Sequence, residues 1–130
     1  MIEIDWLIHY KCNYRCPYCF FEGQWQEVEK RNNYFNNDKW VEAYKRLYDK
    51  SGGLKLIITG GEVFLYPDFL GLIIELNRFS HISFDTNLSC SSDVIKALIK
   101  GMDPKTTFMG LSYHPLFSNI NEFIAKTTML

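Results

Sequence analysis

Three of the four cysteines in this chain fall within eight residues, as Cys12-Asn13-Tyr14-Arg15-Cys16-Pro17-Tyr18-Cys19. Thiols so close together are either core residues, a redox pair or metal ligands. Asn13 and Arg15 make the segment loop-like, which argues against core cysteines. A redox pair from Cys16 and Cys19 leaves Cys12 idle. A structural zinc ion takes four protein ligands. The fourth would come from Cys90, His9, His81 or His114, none of which stands at a short spacing from the cluster. Three thiolates in one loop suit an iron–sulfur cluster that leaves one iron with an open position for another molecule. Zinc stays open as an alternative.

Other polar residues with chemical use lie downstream. Gly60-Gly61-Glu62 follows an apolar run. Paired glycines let backbone approach a ligand and free φ to turn positive. The Glu62 carboxylate could accept hydrogen bonds from an ammonium group, or it could simply be a solvated turn residue. Asp85-Thr86-Asn87 closes a second apolar run and reads as ligand contacts or an Asx-type turn. Ser112 and His114 close a third. Gly60, Asn87 and His114 are 27 residues apart each time, with no residue-level repeat beneath. That period is architectural. Cys90 reads as a spare thiol. Arg15 holds loop backbone or a sulfide, or is a solvated charge. Trp25 and the Tyr44/Tyr48 stripe read as packing.

Such residues need elements to position them. Residues 3–9 alternate as a strand that runs into the cysteine loop. Residues 20–37 read as irregular, with four asparagines as turn formers. Asn37 or Asp38 caps a helix over roughly 38–50, stopped by Gly52-Gly53. Residues 55–59 form a short apolar strand of the kind found in parallel sheets covered on both faces. Pro67 and Asp68 open a helix through Asn77. A strand covers 81–86, and a helix capped by Ser91 or Ser92 covers 93–100, closed by Gly101. A fourth strand spans 106–113. A last helix starts at Ser118 or Asn119. The order is β-α four times over. It predicts an α/β fold with a parallel sheet, the polar residues gathered at the strand ends as in a βα barrel.

The Cys-x3-Cys-x2-Cys spacing, with an aromatic before the last cysteine, resembles the signature of radical S-adenosylmethionine (SAM) enzymes. Gly60-Gly61-Glu62 resembles that family's GGE motif, with Val63 a mild departure. Asp85-Thr86-Asn87 lies where the family often has Thr-Asn-Gly, and Leu88 stands in place of the glycine. The resemblance implies that Cys12, Cys16 and Cys19 hold a [4Fe-4S] cluster whose fourth iron is chelated by SAM. Tyr18 would lie beside the adenine, Gly60, Gly61 and Glu62 would hold the SAM amino group, and Asn87 and Ser112 would meet its other polar groups. The implied activity is reductive cleavage of SAM to methionine and a 5′-deoxyadenosyl radical, which takes a hydrogen atom from a substrate. An electron donor and a substrate are implied partners.

The resemblance spans the chain but only part of the family domain, a (βα)4 portion of a partial (βα)6 TIM-like barrel. The chain is thus expected to be a single truncated core domain, 1–130, completed by a partner or a missing C-terminal half. Four open strands would expose an edge and an inner face, favouring self-association. An iron–sulfur or electron-carrying module without SAM chemistry, or a zinc-stabilised interaction domain, are the competing functions. The substrate is not readable.

Composition narrows the remaining classes. The 130 residues are 47% apolar and 22% charged, ordinary for a globular domain. Fourteen basic and fifteen acidic residues leave a formal charge of −1, which argues against nucleic-acid and polybasic membrane-surface binding. The acidic start Met1-Ile2-Glu3-Ile4-Asp5 is unlike a signal peptide, and no apolar run approaches membrane length. The expected location is cytoplasmic.

Overall fold

A computed structural model describes all 130 residues. Its elements are β1 (Ile2–His9), α1 (Trp25–Glu29), α2 (Asn37–Ser51), β2 (Leu54–Gly60), α3 (Phe69–Asn77), β3 (His81–Thr86), α4 (Ser92–Gly101), β4 (Thr107–Leu111) and α5 (Ile120–Thr127), with a 3-10 turn over Val63–Leu65 after β2. The four strands make one sheet in chain order, every pair parallel. This is the alternating α/β arrangement that the apolar periodicity predicts, and it is consistent with part of a barrel.

The core lies between one face of the sheet and the helices. Leu54, Leu56 and Ile58 of β2 and Ile82 and Phe84 of β3 point to that face and are fully buried against Leu72, Ile73 and Leu76 of α3. The reading of β2 as a strand covered on both faces is corrected here. Its alternate residues Lys55, Ile57 and Thr59 are only half-buried, because every second side chain points to the opposite face, which carries no helix layer. On that face Phe108 of the edge strand β4 is 68% exposed. No helix is long and apolar enough to cross a membrane.

The helix boundaries follow local chemistry. Asn36, one residue earlier than expected, caps α2 by accepting from the Asp38 backbone N–H (2.7 Å). Gly52 ends α2 at φ 70°, a left-handed position where glycine carries no penalty. Ser91 caps α4 and Asn119 caps α5. Gly101 is the last residue of α4, as expected, and a Cβ there would meet Ile74 Cδ1 at 2.4 Å, so the residue is small to let α3 and α4 close on each other. The segment 20–37 is not wholly irregular. It carries α1, a short helix too brief for periodicity to reveal. Strand β4 is also shorter than the expected 106–113.

Candidate active site at the strand ends

All four strands open at their C-terminal ends, or through the loops that follow, onto a single cavity of about 370 Å³. Its wall includes Cys12, Cys16 and Cys19 from the loop after β1, and Gly60, Gly61 and Glu62 after β2. Asp85, Thr86 and Asn87 come from the end of β3, and Ser112 and His114 follow β4. The structure therefore brings together every site residue singled out in the sequence, Tyr18 included, although they come from four separate stretches of chain. Cys90 is outside it. This thiol lines a neighbouring cavity, where burial pushes it up to about 11.

The glycines have a reason that the sequence does not disclose. Neither Gly60 nor Gly61 has a positive φ. A Cβ on Gly60 would lie 2.5 Å from the His9 carbonyl oxygen, and one on Gly61 would lie 2.1 Å from that of Lys11. The close approach is thus backbone against backbone: the start of the cysteine loop lies on the Gly60-Gly61 turn. Two hydrogen bonds hold it there, from Gly61 N–H to the His9 carbonyl (3.0 Å) and from Glu62 N–H to the Lys11 carbonyl (2.8 Å).

Glu62 is not a solvated turn residue. It is 1% exposed. Its Oε1 accepts from the Thr86 hydroxyl (2.7 Å) and the Phe64 N–H (3.2 Å), and its Oε2 from the Asn87 N–H (2.7 Å). Burial raises its pKa, outweighing the three donated hydrogen bonds that pull it down. A carboxylate has about four acceptor sites, so roughly one is left for a ligand ammonium. The residue also ties the end of β2 to the end of β3.

A second link joins β3 to the cysteine loop. Asn87 Nδ2 donates to Asn13 Oδ1 (3.0 Å), and Asn13 Nδ2 donates to Ser89 Oγ (3.0 Å). Asn87 Oδ1 accepts from the Ser89 N–H, so the Asx-type turn is also present. Leu88, in place of the glycine of the resembled motif, has a φ of 58° and is 2% exposed.

Arg15 holds loop backbone, as one of its readings proposes. Its guanidinium donates to the Cys12 carbonyl (2.8 Å) and the Tyr14 carbonyl (3.2 Å), pairs with Glu29 (2.8 Å) and lies over the Trp25 ring (4.5 Å). It thereby fastens α1 to the cysteine loop. Trp25 packs here but also walls the cavity, alongside Phe21 and the 90% exposed Phe20. Of these aromatics, only Trp25 was singled out in the sequence, and only as packing. His9 was missed as well. A bulge in the β1–β2 pairing between Leu7 and His9 breaks the strand's alternation. It lets His9 bury beside Ile8 and donate Nε2–H to the Glu62 carbonyl (2.8 Å). Burial lowers its pKa. Nothing in the sequence around His9 signals that contact.

The cavity's donors suit a soft metal centre: three thiols and the His114 imidazole. Burial raises the Cys12 thiol, so metal must displace its proton. The thiols are not drawn onto one point, and no three His, Cys, Asp or Glu side chains converge closely enough to grip an ion. Cys16 Sγ instead faces His114 Nδ1 at 3.4 Å.

Known proteins place this geometry in context. The chain is 39% identical over 77 residues to a protein named probable GTP 3′,8-cyclase from Archaeoglobus fulgidus, covering 59% of this chain and 24% of that one. It is 29% identical over 93 residues to the GTP 3′,8-cyclase of Trichodesmium erythraeum, covering 69% and 28%. It is 34% identical over 68 residues to human molybdenum cofactor biosynthesis protein 1, covering 52% and 10%. The chain thus spans about a quarter of the length of the cyclases it matches. No solved structure matches it. The family model of the radical SAM superfamily matches residues 6–114, from within β1 through His114. That span contains the cysteine loop and all four strand ends, and the chain therefore belongs to the radical SAM superfamily.

Proposed function

We propose that this chain is the N-terminal, (βα)4 part of a radical SAM enzyme core domain, with Cys12, Cys16 and Cys19 holding a [4Fe-4S] cluster and the adjoining strand ends holding SAM. The observation that carries the reading is the single cavity shared by the three cysteines, Gly60-Gly61-Glu62, Asn87 and Ser112. The chemistry supplied by the bound pair is one-electron cleavage of the SAM carbon–sulfur bond, giving a 5′-deoxyadenosyl radical that takes hydrogen from a substrate.

The chain's own residues do the positioning. Arg15 fixes the curvature of the cysteine loop through two of its carbonyls. Gly60 and Gly61 seat that loop against β2. The remaining acceptor site of Glu62 would take the SAM ammonium. Asn87 and Ser112 would receive its other polar groups, and Tyr18 would lie along its adenine. An external donor would supply the electron, and Cys12, Cys16 and Cys19 are free thiols available for the purpose.

The similarity to GTP 3′,8-cyclases covers the segment that would hold these cofactors. It does not extend to a substrate. No lysine or arginine lines the cavity wall built by this chain, so a triphosphate finds no cation there. Further βα units, in the same polypeptide or a partner, would complete the barrel along β4 and choose the substrate.

The test is anaerobic iron–sulfur reconstitution followed by electron paramagnetic resonance of the reduced protein with and without SAM. A four-iron signal that SAM perturbs, lost in Cys16→Ala, is the expected result. A cluster indifferent to SAM would reduce the chain to an iron–sulfur module.

A further inference from the structure

The cavity wall holds two acidic side chains, Glu62 and Asp85, and no lysine or arginine. Their surroundings differ. Glu62 is buried, and its oxygens accept from the Thr86 hydroxyl and the Phe64 and Asn87 N–H groups. Asp85 is exposed, and no donor or cation of this chain meets its carboxylate.

Strand alternation separates the two carboxylates. Phe84 and Thr86 point to the packed face of β3 and are buried, so Asp85 between them points to the open face. Its register partner on β4 is Gly110. A Cβ at Gly110 would lie 1.8 Å from Asp85 Oδ1 and 3.0 Å from its carboxyl carbon. The carboxylate therefore leans across β4 into the space that a side chain at position 110 would fill. Gly110 has no positive φ that would call for glycine on its own account. One pair further down the same face stand Ser83 and Phe108, whose ring is 68% exposed.

A carboxylate that is merely solvated leaves Gly110 unexplained, since water needs no missing side chain on the neighbouring strand. A bound cation explains both residues. Ammonium and guanidinium groups make the stronger, charge-assisted hydrogen bonds to carboxylates. An aromatic face beside the carboxylate adds attraction for the same charge and a bed for an apolar stem.

We propose that Asp85 selects the substrate by holding an ammonium or guanidinium group over Gly110, with the apolar part of the same molecule against Phe108. The substrate class is an organic cation, and the same carboxylate repels phosphorylated substrates. The inference rests on the proposed function, because it assigns Asp85 to the substrate of that cavity and leaves the SAM ammonium to Glu62.

The experiment titrates the full chain, cluster-free and anaerobic, with phenylbutylamine, phenylbutanol and phenylbutyrate, following the Gly110 amide by nuclear magnetic resonance. The amine is expected to bind at least about 10-fold tighter than the alcohol, the low end for a hydrogen bond to a charged group, and the acid more weakly than either. Asp85→Asn should bring amine and alcohol together. Gly110→Ala keeps the charge but forces the end of the Asp85 side chain to move by at least ~1.2 Å, so it should also lose the preference while the chain stays folded. Equal binding of amine and alcohol by the wild type, or no response of Gly110 to the amine, would overturn the proposal. So would a preference that survives in either variant. Electron paramagnetic resonance of reconstituted Asp85→Asn separates this inference from the proposed function. SAM should perturb that cluster as it does the wild type's; loss of the perturbation in Asp85→Asn alone would make Asp85 a SAM contact and overturn the substrate assignment. A wild-type cluster indifferent to SAM, with the Asp85-dependent preference intact, would remove the proposed function and leave the cation subsite standing.

Discussion

Gly61→Ala tests whether the glycine pair exists to seat the cysteine loop. The new Cβ would lie 2.1 Å from the Lys11 carbonyl oxygen, 2.5 Å from its carbon and 2.7 Å from the Tyr10 oxygen. All three are backbone atoms, so no side-chain rotation relieves the clash. Real Cβ contacts stay beyond 3.0 Å, so the oxygen must retreat by at least ~0.9 Å. The Glu62 N–H to Lys11 bond is now 2.8 Å. A retreat of that size takes it to ~3.7 Å, past hydrogen-bond range. Overpacking costs about 1–3 kcal/mol and a lost backbone hydrogen bond about 1 kcal/mol more. Gly61→Ala should thus destabilise the chain by about 2–4 kcal/mol in urea unfolding. Gly23→Ala is the control, since Gly23 has φ 73° with nothing within 4 Å of its Cβ position, and only strain of about 1–2 kcal/mol applies. Iron uptake on reconstitution gives the second readout. Because Lys11 adjoins Cys12, Gly61→Ala should lose iron along with stability. Were the glycine there for a ligand alone, the variant would keep wild-type stability and full iron content and lose only SAM. That outcome would refute the loop-seating explanation.

Three further outcomes are expected. Leu88 combines a φ of 58° with near-complete burial, so Leu88→Gly, which relieves about 1–2 kcal/mol of left-handed strain, should be less destabilising than Leu88→Ala, the reverse of the usual order; equal losses in urea unfolding would deny the strain. The folded Glu62 carboxyl holds its proton to higher pH than the ordinary 4.5, so the folded state binds more protons in that window. The wild type should gain stability relative to Glu62→Gln as pH falls from neutrality toward 4.5, and lose it again as pH rises through the folded value. A difference that grows with rising pH contradicts this. Arg15→Met removes two carbonyl contacts, the Glu29 pair and the Trp25 stack. Because the guanidinium is half-exposed, the stability loss should be modest, about 1 kcal/mol. The indole emission of Trp25 should still shift as α1 separates from the loop; unchanged emission would show that Arg15 is not the fastener.

The sequence by itself determined the alternation of strands and helices, because apolar period and capping residues are local. It made the cysteine loop stand out as well, because three thiols at spacings of four and three need no distant partner to be noticed. The strand-end residues were legible because a parallel βα sheet places its strand ends together. The tertiary structure alone decided what those residues touch. Gly60 faces the backbone of His9 and Gly61 that of Tyr10 and Lys11, about fifty positions earlier. Glu62 meets Thr86 and Asn87 in place of water. The bulge at His9 turns a strand residue inward. His114 reaches Cys16 across 98 positions. Each of these contacts joins segments whose separation along the chain carries no periodic signal. They come into being only when the sheet's register and the turn after β2 set the loops face to face.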